Sequence, residues 1–140
     1  MFLIQFDACN RDLLNLGSIA FVLFYDDVVL YEFNEILFNP KNSNYAEYSA
    51  LIKALEFCLK SNIKEVYIEG DAKIVIDQIN NLCNVKSNIV KPLHNKVNNL
   101  KKKFQFINFE HIYRKKNTFA DSLANNALYD YIDSLNNLIT

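Results

Sequence analysis

Hydrophobic and polar positions along the chain switch between two periods. Phe2, Ile4 and Phe6 share one face of an alternating run, which predicts a first strand over residues 2–7. Residues 18–25 and 28–38, rich in aromatic and branched side chains, predict two more strands, with Asp26-Asp27 as a tight turn between them. These three form an antiparallel meander. Beyond Asn39-Pro40-Lys41-Asn42-Ser43 the period lengthens. Ala46, Ala50, Leu51, Ala54, Leu55, Cys58 and Leu59 recur at helical spacing and predict a helix over 44–60. A strand over 64–69 ends at Gly70, and a second helix follows over 71–80 with Ile74, Val75, Gln78 and Ile79 on one side. Val90, Leu93, Val97 and Leu100 mark a third helix within residues 84–103, with Pro92 in its first turn. Residues 104–113 alternate as a fifth strand. Asn117 opens a last helix striped by Ala120, Leu123, Ala124, Ala127, Leu128 and Tyr131. The order βββαβααβα, without repeat or linker, predicts one α/β domain over residues 1–140. Its five-stranded mixed sheet has three antiparallel strands followed by two parallel ones and is flanked by helices.

Composition narrows the chemistry. Apolar residues make up 51% and charged residues 22% of 140, a folding rather than a disordered balance. The only glycines are Gly17 and Gly70, so no Gly-rich phosphate cradle exists and a site must be built from side chains. Cys9, Cys58 and Cys83 form no C-x-x-C pair, and His94 and His111 lie far apart, which argues against structural zinc and for free thiols in a reducing compartment. The first residues lack a basic n-region and no run is long enough to span a membrane, so a cytoplasmic chain is expected. Fifteen basic against 16 acidic side chains, net −1, disfavours nucleic-acid binding by charge alone.

Four acids change that picture. Asp7 ends the first strand, Glu47 lies in the first turn of the first helix, Asp71 follows the fourth strand and Asp121 lies one turn into the last helix. Parallel strands that end at one sheet edge would gather all four beside helix N-termini. Carboxylates so close repel one another, and a hard divalent cation such as Mg²⁺ relieves the conflict. Each acid also has a plain structural explanation: Glu47 stands three residues after Asn44, the spacing of a capping pair, and Asp71 could cap its own helix. Asp7 could be an exposed strand end, and Asp121 a surface acid near a helix N-terminus.

Five short blocks taken together resemble type 1 ribonuclease H and the reverse-transcriptase-like ribonuclease H domains. Phe6-Asp7-Ala8 is similar to the family's opening Asp-Gly-Ala, and Asn15-Leu16-Gly17 to its Asn-Pro-Gly. Asn44-Tyr45-Ala46-Glu47-Tyr48-Ser49-Ala50-Leu51 resembles its Asn-x-Ala-Glu-Tyr-x-Ala-Leu helix start, and Glu69-Gly70-Asp71-Ala72 its strand ending in Gly-Asp-Ser. Arg114 to Ala124 resembles Arg-x-x-Asn-x-x-Ala-Asp-x-Leu-Ala. The resemblance implies a ribonuclease H-like fold, with Asp7, Glu47, Asp71 and Asp121 as catalytic, metal-binding carboxylates. It also implies two Mg²⁺ ions, for which Mn²⁺ substitutes, and hydrolysis of the RNA strand of an RNA/DNA hybrid to leave a 5′-phosphate. Asn44, with Asn15 and Gln78 as weaker candidates, would contact the hybrid, and Arg114 and Asn117 would lie at the substrate.

Departures from the family pattern are Ala8, Leu16, Ala20 and Ala72, none of which removes a carboxylate. His111 lies ten residues before Asp121, the family spacing of a proton-relay histidine, but reads more readily as a strand residue. His94 reads as a solvated surface residue. The basic stretch from Lys86 to Lys103 reads as a shortened substrate-gripping helix or a solvated face, without the tryptophans that bacterial relatives carry there. The family's separate hybrid-binding domain is not expected, which implies modest, salt-dependent affinity. No obligate protein partner is evident. The rival readings are a catalytically idle nucleic-acid- or partner-binding module and a related nuclease that prefers double-stranded RNA.

Overall fold

The computed structural model describes residues 1–139. The described residues form strands β1 (Phe2–Arg11), β2 (Leu16–Tyr25), β3 (Val28–Phe38), β4 (Glu65–Gly70) and β5 (Phe106–His111). Helices α1 (Ser43–Lys60), α2 (Lys73–Ile79), α3 (Lys91–Lys101) and α4 (Thr118–Ile139) complete the expected order, with short 3₁₀ turns at Asp12–Leu14 and Arg114–Lys116. The strands lie side by side as β3-β2-β1-β4-β5. The pairs β1–β2 and β2–β3 are antiparallel, and β1–β4 and β4–β5 are parallel.

Alternation along β1 decides what each sheet face carries. Ile4 and Phe6 enter the main core with Ile19, Phe21, Ile68 and the apolar side of α1, where Tyr48, Leu51, Leu55 and Cys58 are wholly buried. Leu3, Val22 and Phe24 face the other way, against Ala120 and Leu123 of α4. The turn at Asp26-Asp27 has both residues at positive φ (48° and 67°), the geometry of a two-residue hairpin that matches strand twist. Among the described residues no helix is long and apolar enough to cross a membrane.

Several boundaries differ from the pattern-based ones. β1 does not stop at Asp7 but continues to Arg11, because Asp7–Arg11 pair with Leu16–Ala20 of β2. Backbone pairing needs no apolar side chain, so polar Asp7, Asn10 and Arg11 hide the strand from its hydrophobic pattern. The first helix begins at Ser43 with Asn42, not Asn44, as its N-cap; the Asn42 Oδ1 accepts from the Tyr45 N–H at 2.7 Å. The second begins only at Lys73, and Ala72 precedes it without a side-chain cap, so Asp71 caps nothing. Residues 84–90 lie outside α3, and β5 is shorter than residues 104–113 at both ends.

Gly70 is fixed by packing rather than by backbone freedom. A Cβ there would stand 2.5 and 2.6 Å from ring carbons of Phe6, the residue opposite it in the β1–β4 register. Both the ring and the strand pairing would have to move. Gly70→Ala is therefore expected to lower stability by about 1–3 kcal/mol, the range of an overpacked core. Urea unfolding of the two proteins measures it, and an unchanged midpoint would show that Phe6 has room to shift.

Candidate active site

The last parallel pair between β1 and β4 is Phe6 with Gly70, so the next residues on the two strands, Asp7 and Asp71, emerge side by side. The N-terminal turn of α1 adds Glu47. With Asn42 as the cap, Asn44 and Glu47 are released from any capping role and both line the same pocket. One carboxylate oxygen from each of Asp7, Glu47 and Asp71 lies within 4.8 Å of the others. Asp121, in the first turn of α4, and Arg114 line the pocket too, and the Arg114 Nη2 lies 3.3 Å from the Asp121 Oδ1.

Electrostatics here are adverse in the metal-free protein. Burial, then the charge of Asp71, push the Asp7 carboxyl up to about 7, and a hydrogen bond to Asp121 further favours its acid form. Glu47 is raised well above the usual carboxylate range by burial, then by the charges of Asp7 and Asp71. Glu47 is only 7% exposed, and its buried Oε1 has no hydrogen-bond partner. An orphaned carboxylate oxygen beside two more acids suits a hard divalent cation, for which three carboxylate oxygens at this spacing are a fitting donor set.

Structure and expectation part company at several positions. Asn117 is wholly buried behind the site; its Nδ2 donates to the Phe6 carbonyl at 2.9 Å and to the Asp71 Oδ2 at 3.2 Å. It holds Asp71 from behind and has no exposed surface. Gln78 is buried between α1 and α2, where its Oε1 accepts from the Tyr48 hydroxyl at 2.7 Å, in a cavity separate from the acids. Asn15 lies outside the acidic pocket: it takes a left-handed conformation (φ 54°) and its Nδ2 donates to the Asn39 Oδ1 at 2.7 Å, tying the β1–β2 loop to the end of β3. His111 ends β5 opposite Gly70 and sets its ring edge-on to Tyr113, outside the pocket lining. His94 is not on a solvated face; its Nε2 lies 3.2 Å from the Gln78 carbonyl oxygen and its ring stands edge-on to Tyr48. In the basic stretch, Lys101 donates to the Ile79 carbonyl and Lys96 pairs with Glu56, so both are tied to neighbouring elements. Sequence reasoning missed Cys9, Asn10, Ser43 and Asn125, which also line the pocket. For Asn125 the signal was available: it stands four residues, one helical turn, after Asp121.

The reverse transcriptase-like family profile matches residues 5–127 of this chain, almost all of the sheet and the acidic pocket. The chain belongs to the reverse transcriptase-like family. The fold agrees with solved ribonuclease H structures of this kind. The ribonuclease H1 of Halobacterium salinarum superposes with a TM-score of 0.86 at 26% identity, covering 92% of this chain and 98% of that one. The N-terminal ribonuclease H domain of Rv2228c from Mycobacterium tuberculosis gives 0.84 at 28% identity, covering 96% and 97%. A ribonuclease H1 isolated from compost, solved in complex with an RNA/DNA hybrid, gives 0.85 at 27% identity, covering 94% and 99%. Over 86 residues the chain is 35% identical to the bifunctional protein Rv2228c, matching 61% of this chain and 24% of that protein's length. The chain thus spans about a quarter of the mycobacterial relatives it matches.

Two predictions follow from the site's polar groups. Asp7 is raised from 3.8 in the unfolded chain to about 7 when folded, so the folded state holds the extra proton between these values. Stability is then greatest at the acid end of that window and falls as pH rises through about 7. Thermal melts of metal-free protein should show this decline, Asp7→Asn should flatten it, and Mn²⁺ should raise the melting temperature more at pH 8 than at pH 5. Asn117→Ala leaves the Phe6 carbonyl without its side-chain donor and is expected to lower stability by about 1–3 kcal/mol, read from urea unfolding.

Proposed function

We propose that this chain is a divalent-cation-dependent endoribonuclease that hydrolyses the RNA strand of RNA/DNA hybrids, with residues 1–140 acting as one catalytic domain. The observation that carries the reading is the convergence of Asp7, Glu47 and Asp71, with an unpartnered Glu47 oxygen, in a pocket that Asp121 and Arg114 also line. Relatives named ribonuclease HI and ribonuclease H1, one of them solved on an RNA/DNA hybrid, support the substrate class. Free thiols, one of them buried, fit a cytoplasmic setting.

The chain's own residues divide the work. Asp7, Glu47, Asp71 and Asp121 would hold two Mg²⁺ ions, or Mn²⁺ in their place. Bound cations would supply the charge that neutralises the developing oxyanions of an in-line displacement at phosphorus. Asn117 keeps Asp71 in position from behind, so no reorganisation is needed when substrate arrives. Asn44, at the pocket rim on the first turn of α1, is the amide best placed to meet a 2′-hydroxyl in the shallow minor groove. Arg114, 75% exposed beside Asp121, is free to turn towards a phosphate. No side chain need act as a nucleophile, and none in the pocket is activated as one: the Cys9 thiol is raised by burial.

Labelled RNA/DNA hybrid, double-stranded RNA and DNA duplex incubated with Mg²⁺ or Mn²⁺ test the proposal. The hybrid should be cut in its RNA strand to leave 5′-phosphate ends, and the other duplexes spared. Asp7→Asn and Glu47→Gln should each lower the rate by at least about 10²-fold while leaving a folded protein by circular dichroism. Equal cutting of double-stranded RNA would move the substrate assignment, and full activity of Asp7→Asn would overturn the site.

A further inference from the structure

Asp121 differs from the other three acids in how it is held. Its Oδ1 accepts from the Arg114 guanidinium at 3.3 Å and from the Asn125 Nδ2 at 3.2 Å. The same Asn125 Nδ2 donates to the Asp121 backbone carbonyl at 2.9 Å. Arg114 is mostly in solvent, where an ion pair holds a carboxylate weakly. Asn125 is partly buried and reaches Asp121 from one helical turn further along α4.

The orientation of the Asn125 amide is dictated by chemistry. Both Asp121 oxygens that it meets can only accept, so the NH₂ end must face them and the carbonyl end must face away. That carbonyl end is taken by the Cys9 thiol, 3.2 Å distant on β1, two residues after Asp7. A continuous path therefore runs from β1 through Cys9 and Asn125 to Asp121. It ties the α4 carboxylate to the strand that carries Asp7.

We propose that Asn125 is the positioning residue for Asp121, with the Cys9 thiol setting its amide. Asn125 keeps the carboxylate aimed at the cation site when Arg114 leaves it for a substrate phosphate. The inference rests on the cation-dependent reading above and adds a division of labour: Arg114 is the exchangeable partner of Asp121 and Asn125 the permanent one. Asn125 touches neither substrate nor the reacting atoms in this scheme.

The test uses the full chain and two readouts, hybrid cleavage against Mg²⁺ concentration and thermal melting against Mn²⁺ concentration without substrate. Asn125→Ala should raise the metal concentration for half-maximal effect by about tenfold in both, the scale of losing a group that orients a ligand. Its metal-free melting temperature should match that of Asn126→Ala, the exposed neighbour used as a control. Cys9→Ala should shift the metal dependence in the same direction, and Cys9→Ser, which restores a donor, should recover it. A lower metal-free melting temperature with unchanged metal dependence would reduce Asn125 to helix packing and overturn the proposal. Equal behaviour of Cys9→Ala and Cys9→Ser would remove the thiol from it. Should wild type cut no hybrid at all, the ribonuclease reading fails, while the Mn²⁺ melts still decide the role of Asn125.

Discussion

The register between β1 and β4 places two carboxylates where neither would settle alone. Phe6 lies opposite Gly70, its ring fills the space a side chain at Gly70 would need, and pairing stops there. Asp7 and Asp71 then leave the sheet together, into the space reached by Glu47 from α1. Burial, and after it the mutual repulsion of the acids, is a standing cost to the metal-free fold, visible in the raised proton affinities of Asp7 and Glu47. Ile4, Phe6, Ile68, Leu51 and Leu55, all wholly buried, hold the two strands and α1 in this arrangement against that cost.

Around the acids the polar groups are spent on holding rather than reacting. Asn117 bridges the Phe6 carbonyl and Asp71, and Asn125 bridges Cys9 and Asp121. Each amide presents NH₂ to a carboxylate, and each joins a strand to an acid on another element. Such fixed donors suit phosphodiester chemistry, in which charge must be neutralised at defined points and a misplaced ligand is expensive. The glycine-poor composition agrees with this design, since nothing in the site relies on a bare backbone cradle.

Much of this was legible in the residue order. Alternating and helical periods located all five strands and four helices, and the spacing of Asp7, Glu47, Asp71 and Asp121 relative to those elements marked the pocket. Structure and residue order differ where side-chain chemistry depends on its neighbours. Asn117 and Gln78 looked like ligands for a substrate, yet burial hides the first behind Asp71 and Tyr48 occupies the second. The capping spacing of Asn44 and Glu47 offered a plain reason for that acid, but the helix starts one residue earlier and Asn42 caps it. His94 looked solvated because its own helix is polar, and only the packing of α3 against α1 brings it to Tyr48.

Local pattern thus determined which segments are strands and helices and which residue types could bind a cation, because periodicity and charge belong to the chain itself. Tertiary structure alone decided the partners. The Phe6–Gly70 register set how close Asp7 and Asp71 stand, and the landing of α4 on β1 joined Asn125 to Cys9, 116 residues apart in the chain. Distances of that kind depend on how side chains fill the space between elements, and no spacing along a sequence records them.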